Sequence, residues 1–468
     1  MAGIFKAYDI RGVVGQGLDA KRAYLIGRAL AQEVFADADS ASQTPVVVSR
    51  DMRTHSPEIA TELIRGLRDG GCDVVDIGLA ATPMNYWANN FYRAAGSVQV
   101  TASHNGPQYN GFKVSGAGAV PLDFSTGLDR VEAFVYRAEN ENVQFAPTQK
   151  TGSLELVNGA LPRYLDWMSG FLQIEYSNAR RLKIGIDAAN GMGGFFLAEF
   201  FARFPQLELV PLFFELDGKF PNHEADPLKD ENLRDTQRLV VEHGCDFGVA
   251  FDGDADRCMF VDELGQNISS DLITALIGAA ILEKLPNSAI LYDLRSSHVV
   301  PETIAQHGGK AVRGRVGHSF MKRLLKAEDA PFGGELSGHY YFRDCFNTDS
   351  ALMALIQIID IWTKNNANAT SSTRIALSEL VLPLRKYFAT GEINFHVANV
   401  QETLRQVEAH YTAAGASLDH LDGLTVAFPN WWFNLRSSNT EPLLRLNLEA
   451  ATVQERDDFR AQVEKWLV

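Results

Sequence analysis

Three stretches of the chain carry the same order of signals, and this repetition narrows the fold more than any single motif. The first opens on a β-branched strand, Pro45-Val46-Val47-Val48, and passes into a helix entered at Ser56-Pro57-Glu58. Serine before proline predicts an N-cap and a first-turn residue. A second strand follows over 73–77, and a later one over 96–100 delivers Thr101-Ala102-Ser103-His104-Asn105. The second stretch has a strand over 183–187, a helix over 192–204 and a strand over 207–213. Its strand over 247–251 then delivers Asp252-Gly253-Asp254-Ala255-Asp256-Arg257. The third has a strand over 289–293, a helix near 299–306 and a strand near Ala311, and delivers Gly334-Glu335-Leu336-Ser337-Gly338-His339. Strands alternating with helices imply parallel α/β units. Ligands in such units gather at the carboxyl ends of the strands, where each stretch places its polar loop.

The last part of the chain breaks the pattern. A polar stretch over 364–373 has the composition of a linker, and strand and helix signals mix beyond it. Two strands, at 431–435 and 443–448, flank Arg436-Ser437-Ser438-Asn439-Thr440-Glu441, which reads as a polar hairpin loop on a smaller α+β domain. At 468 residues, the chain exceeds what one core usually spans. The formal net charge of −15 argues against nucleic acid or an anionic membrane as partner, because no basic surplus exists to neutralise phosphates. A pocket can still gather a few arginines for a small anion. The four cysteines show no CxxC spacing, which points to reduced thiols rather than a disulfide framework or zinc site. The start MAGIFKAYDIRG has no apolar signal region, and the longest apolar run, near 275–282, is too short to span a bilayer. A cytoplasmic location is expected, with Asn368-Ala369-Thr370 left unglycosylated.

The loops carry the chemistry. Asp252, Asp254 and Asp256 alternate within five residues between apolar flanks, so three carboxylates can converge on one hard cation. An exposed acidic turn, a calcium loop closed by Glu263 and an aspartyl-phosphate phosphatase are alternatives. The calcium loop needs glycine where Arg257 stands. Ser103-His104 alone is an ordinary turn pair, raised by the small residues before it and by Lys113 after it. The 436–440 loop combines a guanidinium fork, hydroxyls and an amide, the composition of a phosphate cradle, although a capped turn has the same residues.

Taken together, FKAYDIRG at 5–12, TASHN at 101–105, DGDADR at 252–257, GELSGH at 334–339 and RSSNTEP at 436–442 resemble the α-D-phosphohexomutase superfamily, in its bacterial phosphomannomutase/phosphoglucomutase branch. The resemblance covers nearly the whole chain. It implies three related α/β domains with mixed or parallel sheets and a smaller C-terminal α+β domain, around a central cleft. The expected divisions are 1–152 with the phosphoserine loop, 153–264 with the metal loop, 265–370 with the sugar loop and 371–468 with the phosphate loop. It implies that Ser103 carries the phosphoryl group, that Asp252, Asp254 and Asp256 hold Mg²⁺ with Ser103 completing the site, and that Arg257 lies beside the metal. Arg11, His104 and Lys113 surround the transferring group. Lys113 and His318, the latter in the Gly317-His318 loop, are candidates for proton transfer. Glu335, Ser337 and His339 recognise the sugar, with Arg295 nearby. Arg436, Ser438, Asn439 and Thr440 hold the phosphate that is not being transferred. A small sugar phosphate is the implied partner, a hexose 1,6-bisphosphate the implied activator, and a monomer or dimer the implied assembly. A metal-dependent phosphatase and a phosphoglucosamine-type mutase are the competing functions. Two positions depart from the pattern. Gly106 stands where many relatives have proline after the asparagine of the serine loop, and Arg295 stands where several have lysine; arginine keeps the charge but cannot donate a proton near neutral pH.

Overall fold

The structure, a computed structural model, describes residues 3–35, 44–141, 151–172, 174, 181–367, 369, 373–437 and 443–467. Three of its four sheets repeat one strand order. In each, the first strand of the unit is central, the second pairs parallel on one side and the third parallel on the other. The fourth returns antiparallel beside the third. In the first unit these strands are Val46–Arg50, Val74–Leu79, Gly96–Val100 and Tyr109–Gly116. In the second they are Leu182–Asp187, Leu207–Leu212, Phe247–Phe251 and Cys258–Asp262. In the third they are Ala289–Asp293, Lys310–Gly314, Phe332–Gly334 and Tyr340–Phe342. The sheets are therefore mixed. The three polar loops fill one equivalent position, the hairpin from third strand to fourth.

The central strands are buried along their length because helices cover both faces, which is why they read as continuous apolar runs. Ile10–Val13 and Leu154–Leu156 extend the first sheet at its two edges. The second of these strands lies just past residue 152. Against the first sheet, helix Ala20–Glu33 crosses Ser56–Asp69 at two glycines. A Cβ on Gly66 would lie 2.1 Å from the Tyr24 carbonyl oxygen, and one on Gly27 would lie 2.2 Å from that of Leu63. One apolar core runs through the second and third units and one face of the first sheet, joining Val75, Ile186, Phe247, Ile290 and Phe332.

The fourth sheet is antiparallel throughout, in the order Phe388–His396, Leu443–Ala450, Trp431–Ser437, Leu424–Ala427, Ser417–Asp419. Helices Val400–Ala413 and Val453–Glu464 pack on it, and it has a core of its own around Val407, Phe433, Leu446 and Val463.

Two local expectations need correction. Ser56 is the first residue of its helix, not the cap: His55 precedes it in a helical conformation. Its hydroxyl donates to Asp51 and accepts from Asn110 Nδ2 at 3.0 Å, so the oxygen that would cap the helix is aimed at these buried partners instead. The polar stretch at 364–373 does not start as a linker, since helix Ala351–Asn365 runs into it. Asn366 is buried and accepts from Ile375 N at 2.8 Å, tying the chain back. Asn368 and Thr370 lie outside the described residues. Among the described residues no helix is long and apolar enough to cross a membrane.

Candidate active site

Because the three hairpins are equivalent, the three units can point them at one place. Ser103 and Asp252 meet there: Ser103 Oγ lies 3.0 Å from Asp252 Oδ2 and 3.3 Å from His104 Nδ1. Ser103 is 1 % exposed and has a φ of 50°, a left-handed conformation that a non-glycine residue keeps only when its surroundings impose it. The close approach of the two loops requires glycine at 253, where a Cβ would lie 2.5 Å from the Ser103 carbonyl oxygen.

Asp252, Asp254 and Asp256 are at most 1 % exposed, and their oxygens lie within 4.8 Å of one another. Among the described residues, Asp254 Oδ1 and Asp256 Oδ1 are buried without a hydrogen-bond partner, His339 Nε2 lying 3.6 Å from the latter. Three convergent carboxylates with spare buried oxygens fit a hard divalent cation. The calcium-loop alternative fails on geometry, since Glu263 turns away to Ser378 and accepts from its N–H at 3.2 Å. Lys113, on the fourth strand of the first unit, brings its Nζ to 2.7 Å from Asp254 Oδ2 and into contact with Asp256. Burial would lower the Lys113 pKa, but Asp254 and Asp256 together drive it up, so Lys113 stays charged. Burial, followed by Asp256 and Asp254, pushes Asp252 well above the usual carboxylate range.

The third unit closes the other side. Arg257 Nε contacts His339 Nε2 at 3.1 Å, and the two residues form an isolated antiparallel bridge that laces the 252–257 loop to the 334–339 loop. Glu335 is 1 % exposed, and its Oε1 accepts from Gly317 N at 2.8 Å while its Oε2 accepts from the Tyr341 hydroxyl. Ser337 Oγ lies 3.1 Å from His339 Nδ1. Gly317 has a φ of 129°, which strains any side chain, and a Cβ there would lie 3.2 Å from Tyr8 Cζ. His318 follows at the first turn of helix His318–Ala327, with its ring 6.2 Å from that of His339. Burial, then Lys322 and Lys113, holds the His318 pKa well below its ordinary value. Burial, then Arg257 and Arg11, does the same to His104. Arg11 pairs with Asp9 and donates to Asn105 Oδ1. Arg295 is held by Asp293, with Nη2 at 2.7 Å from Oδ2, and the same oxygen accepts from Leu336 N. Arg436, one residue before the end of its strand, lies 3.2 Å from Glu392. Ser438, Asn439 and Thr440 lie outside the described residues.

Sequence reasoning passed over Arg53. It is 1 % exposed and spends all five N–H groups. Nε goes to Asp51 Oδ2, Nη1 to the carbonyls of Gly106 and Tyr109, and Nη2 to those of Ser103 at 2.7 Å and Asn105 at 2.6 Å. One rigid fork therefore shapes the serine loop. Arg53→Lys keeps the charge but loses the fork. It is expected to lower kcat by about 10²-fold, the scale of a misplaced reacting group, with KM nearly unchanged. Steady-state kinetics beside a circular dichroism melt checks this, and an unchanged kcat would contradict the assignment. Thr82 was missed as well: it opens helix Thr82–Phe91, its hydroxyl donates to Asp254, and its N–H donates to the Asp254 carbonyl at 3.0 Å.

Sequence profiles of the phosphoglucomutase/phosphomannomutase family match the chain in four consecutive blocks. Its α/β/α domains I, II and III match residues 2–141, 162–265 and 269–380, and its C-terminal domain matches 392–465. The chain belongs to this family. It is therefore a phosphohexomutase, an isomerase by class. It is 37 % identical to the phosphomannomutase of Vibrio cholerae over 451 residues, covering 95 % of this chain and 94 % of that one. It is 39 % identical to the phosphohexose mutase of Xanthomonas campestris, with the same coverage. A phosphoglucomutase/phosphomannomutase family protein from Burkholderia thailandensis superposes with a TM-score of 0.86 at 32 % identity, covering 99 % of this chain and 96 % of that one.

Proposed function

We propose that this phosphohexomutase interconverts the 1- and 6-phosphates of glucose, mannose or both, through a phosphoserine at Ser103 and a hexose 1,6-bisphosphate that also serves as activator. The observation that carries this is the 3.0 Å contact of Ser103 Oγ with Asp252, at the mouth of a buried three-carboxylate cluster. Asp252, Asp254 and Asp256 would hold Mg²⁺, which supplies Lewis-acid neutralisation of the transferring phosphoryl oxygens. The rest falls to the chain's own residues, since phosphoryl transfer asks mainly for positioning and charge compensation.

The phosphoryl group leaves Ser103 Oγ for a sugar hydroxyl; that hydroxyl gives up its proton and the freed Ser103 oxygen takes one up. His318, held neutral by burial, suits the role of acceptor. Lys113, held protonated between Asp254 and Asp256, supplies charge rather than a base. The bisphosphate then turns, and its other phosphoryl group returns to Ser103. Glu335, Ser337 and His339 present polar atoms to the ring hydroxyls, while Arg436 and Arg295 face the phosphate that stays put.

A phosphorus NMR time course tests the reading. The protein is given mannose 1-phosphate or glucose 1-phosphate, with Mg²⁺ and a trace of glucose 1,6-bisphosphate. Growth of the 6-phosphate signal is expected. Growth of free phosphate instead would make the chain a phosphatase. No change with either sugar, despite phosphorylated Ser103, would overturn the substrate assignment in favour of amino-sugar phosphates.

A further inference from the structure

Arg436 and Arg445 stand directly opposite each other on neighbouring strands of the fourth sheet. Like charges so placed repel and weaken a sheet, so the pair needs a reason. A third guanidinium approaches from the third unit: Asp293 holds Nε and Nη2 of Arg295 and leaves Nη1 facing the same point. One carboxylate answers all three. Glu392 lies 3.2 Å from Arg436 Nη2, 3.3 Å from Arg445 Nη1 and 3.8 Å from Arg295 Nη1. Its strand changes register between Ala389 and Glu392, the kind of irregularity that re-aims a side chain. Among the described residues, Nε of Arg436 and Nε of Arg445 are buried donors without a hydrogen-bond partner.

The charges decide what fits. Three guanidiniums face two carboxylates, Asp293 and Glu392. If Glu392 withdraws, the cluster carries two positive charges, which one phosphate dianion neutralises. Two further N–H donors then have an oxygen to meet, and arginine forks suit phosphate geometry.

We propose that Glu392 is a built-in surrogate for the resting phosphate of the substrate: it keeps the three arginines converged, yields them to a phosphoryl dianion and retakes them when that dianion leaves. This rests on the mutase reading, which requires the bisphosphate to let go of one phosphate and turn. Release from three arginines leaves them repelling one another unless an anion refills the site, and Glu392 is tethered beside it. It therefore weakens binding and speeds release.

The test is Glu392→Gln in the full chain, with Glu392→Asp as the charge-retaining control and a thermal melt to confirm folding. Calorimetric titration with inorganic phosphate and with glucose 1,6-bisphosphate is expected to show about tenfold tighter binding of both to E392Q, with near-original affinity in E392D. KM and kcat for hexose 1-phosphate are expected to fall together. Weaker binding and a raised KM would overturn the proposal and leave Glu392 as a scaffold for the arginines. Unchanged affinity would overturn it too. The phosphate titration does not depend on turnover. Tighter phosphate binding in a chain that converts no hexose phosphate would sink the mutase reading alone, and normal turnover with unaltered phosphate affinity would sink this one alone.

Discussion

Ser103→Ala is expected to abolish conversion of hexose 1-phosphate to 6-phosphate, with a loss on the order of 10⁴-fold or more, because it removes the hydroxyl proposed to carry the phosphoryl group. The fold should survive. Ser103 Oγ makes two contacts, with Asp252 and His104, and the loop around it is held by the main-chain bonds to Arg53 rather than by the hydroxyl. Alanine keeps the left-handed φ of 50°, whose strain of about 1–2 kcal/mol serine already bears. Ser103→Gly removes that strain and is expected to be equally inactive. The phosphorus NMR time course reads both variants, and mass spectrometry of the wild type should place one phosphoryl group on Ser103. Persistent 6-phosphate formation in either variant would mean direct transfer between sugars and would end the phosphoserine reading.

Much of the framework was legible because the signals are local. The expected strands over 96–100, 247–251 and 289–293 coincide residue for residue with the observed ones. Each is a fully buried or nearly buried run that ends abruptly in a polar loop, so its limits are written in the sequence itself. The hairpin around Arg436 was legible for the same reason. What escaped was long-range. Arg53 meets Ser103 across 50 positions and Thr82 meets Asp254 across 172, and no local pattern announces either pairing. One trace of Arg53 was present. Asp51-Met52-Arg53 and Asp293-Leu294-Arg295 stand at the same place in two units, just at the end of the first strand. In both, the aspartate accepts from the backbone N–H of the arginine and pairs with its side chain. Asp187, at the equivalent place in the second unit, accepts from Ala189 N at 2.8 Å without an arginine. Comparing the units with one another, rather than reading each alone, exposes that repeat. Ser56 misled because its partner Asp51 precedes it, while the capping rule looks only forward into the helix.

On the proposed reading the 252–257 loop gives up stability to hold a cation, and Asp252→Asn separates the two. Asp252 Oδ1 accepts from the N–H groups of Asp256 at 3.1 Å and Arg257 at 3.2 Å, and Oδ2 meets Ser103 Oγ at 3.0 Å. An asparagine can keep the first two through its oxygen and turn its amide to the serine, so the loop shape is retained. The charge is not. Burial and the neighbouring Asp256 and Asp254 raise the Asp252 pKa, so the folded carboxyl holds its proton above the pH at which the unfolded one loses it. Stability in chelator therefore falls as pH rises through that interval, and at neutral pH this carboxyl burdens the fold. Asp252→Asn lifts this burden: in chelator its Tm at pH 7 is expected to exceed that of the wild type, with the gap closing toward pH 4. Added Mg²⁺ reverses the order. A site filled at a hundred times its Kd gains about 2.7 kcal/mol, so the wild type should rise in Tm while the variant hardly moves. Activity should drop by about 10³-fold, equivalent to about 4 kcal/mol of lost transition-state stabilisation. Scanning calorimetry with and without Mg²⁺ at two pH values decides the matter. A variant less stable than the wild type in chelator would show that Lys113 and Arg257 already compensate the third carboxylate fully, leaving no repulsion for a cation to relieve.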